Sequence, residues 1–347
     1  MNEFQPVGVL TEARGDKDFM VTSISAVENC EPLDLVFVDK KEYLDVVRKR
    51  QPSVVVTSEG LKGLFDQFEN IVVLVAPNVP LAHALIKQKY GARDYKQTGW
   101  SGVHPSATIH ESARLDSTVV VEPRVVIGKN VIVGKNTRIM AGSIVENDVT
   151  IGDDTTIHPL AVVGYGCVVG GGVTIGSGSV IGSEGFGFAQ DGKRKSHGIP
   201  QTGIVVMEDR VRIGSNCTID RAAYQITRIG AGTKIDNLCH IAHNVEIGQD
   251  CLLTSMFCIA GSSKIGNRVV TSGMTGILDH VKVGDDVVLL HRAGVSNDIE
   301  TPGAYAGAPL QPLRQYMRNA AVLKQAEELK KRILALEKSL NIKGTSP

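Results

Sequence analysis

A sixfold repetition of aliphatic residues runs through the middle of the chain. From Val103 to Ile181 every sixth residue is Val, Ile or Leu, fourteen in succession. The phase resumes at Ile213 and Ile219, slips by four, and then runs from Ile229 to Val295 with Thr271 as the one non-aliphatic member of twelve. Such a period is the signature of a parallel β-helix, in which each short strand stacks on the strand one coil earlier. The repeated aliphatic points inward and fills the prism, which no single coil could bury alone. Between the strands, stretches such as IGKN, VGKN, IGDD and VGDD place Gly and Asn or Asp at turn positions that would strain other residues.

Two interruptions break the pattern. Residues 183–204, SEGFGFAQDGKRKSHGIPQTG with its flanking Ile, lose the period and are expected to loop outside the prism. The slip after Ile219, DRAAYQITR, is a smaller excursion. Loops on a rigid scaffold often carry function, although the KRK at 193–195 also fits a solvated hairpin.

The two ends read differently. Residues 1–100 lack the period and hold apolar runs (DLVFV, SVVVT, NIVVLV) between helix-like stretches such as KEYLDVVRKR, which predicts a small α/β domain. The junction is expected around GWSGVHP, and residues 101–308 form the β-helix. From 309 to 347 a helical extension is predicted over 313–340, with apolar residues at Val322, Ala326, Leu329, Ile333, Leu336 and Leu340 in heptad spacing. Glu327–Lys331 and Glu328–Arg332 support it as i,i+4 pairs. The expected class is therefore mainly β, a parallel β-helix flanked by an N-terminal α/β domain and a C-terminal α-helical extension.

Composition changes this picture little. The 37 basic and 37 acidic residues cancel, which argues against a nucleic-acid partner or a charged membrane face. There is no apolar run long enough for a transmembrane segment and no signal-like start, so a cytoplasmic protein is expected. Six cysteines without a CxxC pair read as reduced thiols. The segment from 309 onward has eight Lys or Arg against three Glu, a net +5 that suits a solvated face or an acidic partner.

The chemistry concentrates at HIAHN, residues 240–244. His243 lies two residues after the inward Ile241, and Gly261 lies two after Ile259, eighteen residues further on. With three six-residue sides per coil, eighteen residues make one coil, so the two are stacked about 4.8 Å apart. His280 follows Ile277 by three, which brings His240, His243, Gly261 and His280 to one edge, while His291 falls on another side. Acyl transfer from a thioester to an amine needs a base and a donor for the developing oxyanion. An imidazole and an unobstructed glycine N–H suit those tasks. No Cys or Ser is expected beside these histidines at a comparable stacked position, which favours direct attack over a covalent enzyme intermediate. Zinc is the rival reading of the histidines, but no spaced carboxylate or Cys set accompanies them, so no metal is expected. Ordinary surface histidines are the remaining alternative.

KIDNLCHIAHNVEIG (234–248), IAGSSKIG (259–266), GSEGFGFA (182–189), NCTIDRAA (216–223) and YAGAPLQP (305–312) stand out along residues 100–340. On these motifs the segment resembles the UDP-3-O-(3-hydroxyacyl)glucosamine N-acyltransferases of lipid A synthesis, the LpxD family of hexapeptide-repeat acyltransferases. The HIAH motif alone is shared with the O-acyltransferase earlier in that pathway, which lacks the N-terminal domain. The resemblance implies a left-handed β-helix, a homotrimer with sites between adjacent prisms, and no cofactor beyond the phosphopantetheine of an acyl carrier protein donor. It implies His243 as general base, Gly261 as oxyanion donor, His280 as a positioning group, and His240, Asp236 and Asn237 lining the same pocket. In the N-terminal domain FVDKKEY places Phe37 and Tyr43 where the family stacks uracil, although Lys40 stands at the usual Asn. Arg314, Arg318 and Lys324 would meet the acidic carrier protein. A coenzyme A-dependent acetyltransferase acting on another nucleotide aminosugar, or a non-catalytic β-helix scaffold, are the competing expectations.

Overall fold

The computed structural model describes Phe4 and residues 8–15, 20–91, 98–290, 292–306 and 313–340, with the side chains of 313–317 and 320 outside that set. The chain divides between Thr98 and Gly99 into two compact units.

Unit one is built on a five-stranded sheet. Its strands are β1 (Glu12–Arg14), β2 (Ser23–Ile24), β3 (Asp34–Val38), β4 (Val54–Thr57) and β5 (Val72–Val75), in the order β1-β5-β4-β3-β2. Only the β1–β5 pairing is antiparallel. The near-continuous apolar runs of β3 to β5, mostly Val with Leu and Phe, fit strands covered on both faces. Two apolar clusters flank them, one including Val79, Ala82 and Ile86 of α2 (Val79–Tyr90), the other Val47 of α1 (Leu44–Arg50). Asn78 caps α2 by accepting the Leu81 N–H at 3.0 Å.

Unit two is mainly β: a parallel β-helix whose three sheets hold nine, ten and ten strands. Most strands are two residues long, and the second of the pair points inward: Val121, Ile127, Ile139, Ile157, Ile181, Ile219 and Ile241 are all at most 1% exposed. Each such side chain contributes about 1.5–3 kcal/mol by leaving water. Thr271 takes the same inward place, and its Oγ1 accepts the Thr254 N–H at 3.1 Å, so its hydroxyl is not orphaned. Met207, which an aliphatic count passes over, already restores the phase before Ile213, pairing with Val169 and 1% exposed.

The turns correct one expectation. In IGKN the left-handed residue is Asn130 (φ 57), whereas Gly128 has no positive φ. A Cβ at Gly128 would lie 2.6 Å from the Asn147 Oδ1, so that glycine serves the close approach of the next coil.

Residues 183–204 leave the prism between the strands Val180–Ser183 and Ile204–Met207 and carry a small hairpin, Phe188–Gln190 against Ser196–Gly198. The step from Val180 to its partner Thr218 is thus 38 residues, against 18 from Val162 to Val180. The next step, Thr218 to His240, is 22. At the C-terminal end α3 spans Leu313–Ser339, its described side chains mostly exposed, with Glu327 and Lys331 paired at 3.3 Å.

Candidate active site

One sheet of the prism carries a column of outward residues that shrink from His240 upward, through Cys258 to Gly276 and Gly294. The shrinking side chains leave a cavity of about 860 Å³, lined by His240, His243, Cys258, Gly261, His280 and, from the insertion, Phe186.

His243 sits at the corner after the strand His240–Ile241, and its carbonyl accepts the Ser262 N–H at 3.0 Å. The imidazole lies against Gly261 one coil up. A Cβ at Gly261 would be 2.7 Å from its Cε1 and 2.8 Å from its Nε2, so only glycine leaves room for the ring. Among the described residues, nothing accepts from the Gly261 N–H. The Gly261 carbonyl accepts the His280 N–H at 3.1 Å, which sets His280 on the same corner of the coil above. On the other flank a Cβ at Gly185 would lie 2.8 Å from the His243 Cβ, so the base of the insertion closes that side.

Below His240 lies Asp220, 4% exposed. The Ser183 hydroxyl donates to its Oδ1 at 2.7 Å, and His240 Nε2 stands 3.7 Å from its Oδ2. Burial pushes the Asp220 carboxyl above its usual range, while the Ser183 hydroxyl and the charges of His240 and His243 pull it back.

The structure corrects two expectations here. Within one copy of the chain Asp236 and Asn237 do not join this cavity: they follow the strand Lys234–Ile235 of a different sheet, one six-residue side before the His243 corner. Asn237 is engaged there, its Oδ1 accepting the Ser215 N–H at 2.7 Å. Conversely, thiol and hydroxyl groups do stand near the histidines. Cys258 shares the phase of His240 and pairs with it across the sheet, exposed to the cavity, and Ser262 lines the same space. Phe186, Asp220 and Asn244 also belong to these surroundings; each lies in a stretch the sequence marks (GSEGFGFA, NCTIDRAA and HIAHN), although the sequence singles out none of them as a site residue.

In unit one, Phe37 and Tyr43 line one cavity of about 240 Å³. His83 of α2 stacks on Phe37 with centroids 4.3 Å apart and planes 26° apart, a contact the sequence did not suggest. Lys40 is exposed and is not part of that lining. On α3, Arg318 and Lys324 are exposed, the Arg314 side chain lies outside the described residues, and so does His291. Among the described residues no three His, Cys, Asp or Glu gather to hold a metal ion, and no helix is long and apolar enough to cross a membrane.

A parallel β-helix with histidines stacked at one outer corner is the frame in which the relatives of this chain, acyltransferases by name, are to be placed. Relatives make the assignment narrower. A UDP-3-O-acylglucosamine N-acyltransferase of Methylococcus capsulatus is 46% identical over 346 residues, covering 100% of this chain and 98% of its own. That of Pseudomonas syringae pv. syringae is 35% identical over 332 residues, covering 94% and 91%. The chain belongs to the UDP-3-O-acylglucosamine N-acyltransferase family and is an N-acyltransferase. Residues 103–185 also match the family model of the GMPPB C-terminal domain. Among solved structures, a UDP-N-acetylglucosamine acyltransferase from Campylobacter jejuni aligns at 27% identity and a TM-score of 0.44, covering 58% of this chain and 69% of that one.

Proposed function

We propose that the protein transfers a 3-hydroxyacyl chain from acyl carrier protein to the amine of a UDP-3-acyl-glucosamine, a step of lipid A synthesis, by direct attack. His243 takes the amine proton as the nitrogen adds to the thioester carbonyl. The Gly261 N–H meets the oxygen as it gains charge, and collapse expels the carrier's thiolate. His240 and His280 flank the acceptor. Phe37 and Tyr43 hold the uracil, and the exposed Arg318 and Lys324 of α3, with Arg314, attract the acidic carrier. The donor brings its own phosphopantetheine, so no further cofactor or metal takes part. In the homotrimer this family membership implies, Asp236 and Asn237 act on the acceptor from the corner of a neighbouring copy.

The observation that carries this reading is the imidazole of His243 packed one coil beneath the unengaged Gly261 amide, inside the cavity. The test pairs purified protein with acyl carrier protein and coenzyme A donors and follows product mass. Acyl transfer from the carrier protein is expected, and His243→Ala should lower kcat about 10²–10⁴-fold with melting unchanged. Turnover of an acetyl-coenzyme A donor in preference, or a fully active variant, would overturn it.

A further inference from the structure

The corner that carries His243 departs from every regular corner near it. At Asp250, Met256 and Arg268, the left-handed corner residue donates its N–H to the backbone carbonyl nineteen positions earlier (Ala231, Asn237 and Gln249). Asn244, also left-handed at φ 60, instead donates to the Thr227 Oγ1 at 2.9 Å. The four extra residues of the 22-residue coil have replaced the ordinary backbone contact and hold the Asn244 side chain instead. Its Nδ2 donates to the Tyr224 carbonyl at 3.0 Å, and its Oδ1 accepts the Ala223 N–H at 2.9 Å.

Those two bonds remove the ambiguity of a carboxamide. Turning it over would set an NH₂ against an N–H and an oxygen against a carbonyl, two repulsive contacts in place of two bonds. The Oδ1 is therefore fixed as an acceptor, and it lies 3.2 Å from the His243 Nδ1. A ring nitrogen facing a committed acceptor must carry the proton.

We propose that Asn244, clamped by the excursion at Ala223, Tyr224 and Thr227, is a positioning residue that holds His243 as the Nδ1–H tautomer. The lone pair is then on Nε2, the atom packed toward Gly261. The role of Asn244 rests on His243 being the base; the tautomer does not, and can be read without any turnover.

The test is ¹⁵N-histidine NMR of the full-length protein at a pH about two units above the ordinary imidazole value of ~6.5. His243, assigned by its loss in His243→Ala, should show a pyrrole-type Nδ1 and a pyridine-type Nε2. In Asn244→Gly, which keeps the left-handed backbone but has no acceptor, the two resonances should move toward a tautomer mixture. With substrates, that variant should lose roughly tenfold in kcat, the scale of one hydrogen bond, with KM within about twofold. Asn244→Asp keeps an acceptor for Nδ1 but loses the donor to the Tyr224 carbonyl, so it should restore the Nδ1–H tautomer and only part of the lost kcat. An Nε2–H tautomer in the unaltered protein, or an Asn244→Gly variant with unchanged tautomer and kcat, overturns the inference. If the tautomer behaves as described while His243→Ala remains active, the assignment of His243 as base has failed and the clamp stands.

Discussion

Gly261→Ala is the most incisive single change, because the backbone at 261 has no positive φ and accepts alanine without strain. The added methyl would stand 2.7 Å from the His243 Cε1 and 2.8 Å from its Nε2, where ordinary contact begins at 3.4 Å. The ring must therefore withdraw by roughly 0.6–0.7 Å. It has little room to do so. The Gly185 backbone lies behind its Cβ, and its Nδ1 is tied to Asn244 at 3.2 Å. A displacement approaching 1 Å at a reacting centre costs about 10²-fold in rate, or ~2.7 kcal/mol of barrier. Stability should move far less, since replacing a compatible glycine gains about 0.4–1 kcal/mol through the unfolded chain and offsets part of the contact cost. The assay is steady-state transfer from acylated carrier protein, beside a melting curve. Expected is a kcat about a hundredfold down with a Tm within a few degrees. A variant turning over within twofold of the parent would show that bond formation does not occur between this ring and this amide.

Three further changes test the rest of the proposal. Asp220→Asn should leave the protein as stable or more stable at pH 7–8: burial raises the folded carboxyl above its unfolded value, so stability falls as pH rises beyond about 4. The advantage should vanish on acidification through that range, and a variant equally destabilised at every pH in a melting series would contradict the sign. Gly276→Leu should fill the cavity beyond Cys258, because a Cβ there meets only the Cys258 Sγ at 3.5 Å. Mass spectrometry with a mixed acyl-carrier pool should then show shorter chains in the product; an unaltered distribution would mean that the acyl chain lies elsewhere. Phe37→Ala should raise KM for the UDP-sugar by about tenfold or more with little change in kcat, since base stacking contributes about 1–3 kcal/mol. An unchanged KM would remove the uracil from this cavity.

What the sequence disclosed and what it withheld follow from how the coils count. The inward aliphatics were legible because every coil must bury one at the same phase, and the His243–Gly261 stacking followed because the coil between them is a regular eighteen residues. Cys258 beside His240 obeys the same count, since both precede an inward isoleucine by one position and stand one regular coil apart. Asp220 obeys no such count. It stands where the register shifts between Ile181 and Ser183, and no fixed step relates it to His240. Asp236 and Asn237 stand apart from His243 within one copy of the chain, because in a three-sided prism six residues carry the chain round one corner.

The irregularities are where a repeat scaffold becomes able to do chemistry. A regular coil presents each outward side chain only to its like one storey above and below, and nothing in that geometry fixes an imbalance between the two nitrogens of an imidazole. The two lengthened steps, of 38 and 22 residues, lie in the coils immediately below His243. The longer one brings Gly185 against the flank of the ring and Phe186 over the cavity. The shorter one supplies Ala223, Tyr224 and Thr227, which orient Asn244. Extra residues at a corner cost the prism little, because the strands Ile204–Met207 and Ile226–Ile229 pair with each other and return to phase at once. Regular stacking therefore provides the rigidity, and the two insertions provide the asymmetry that a directional proton transfer requires.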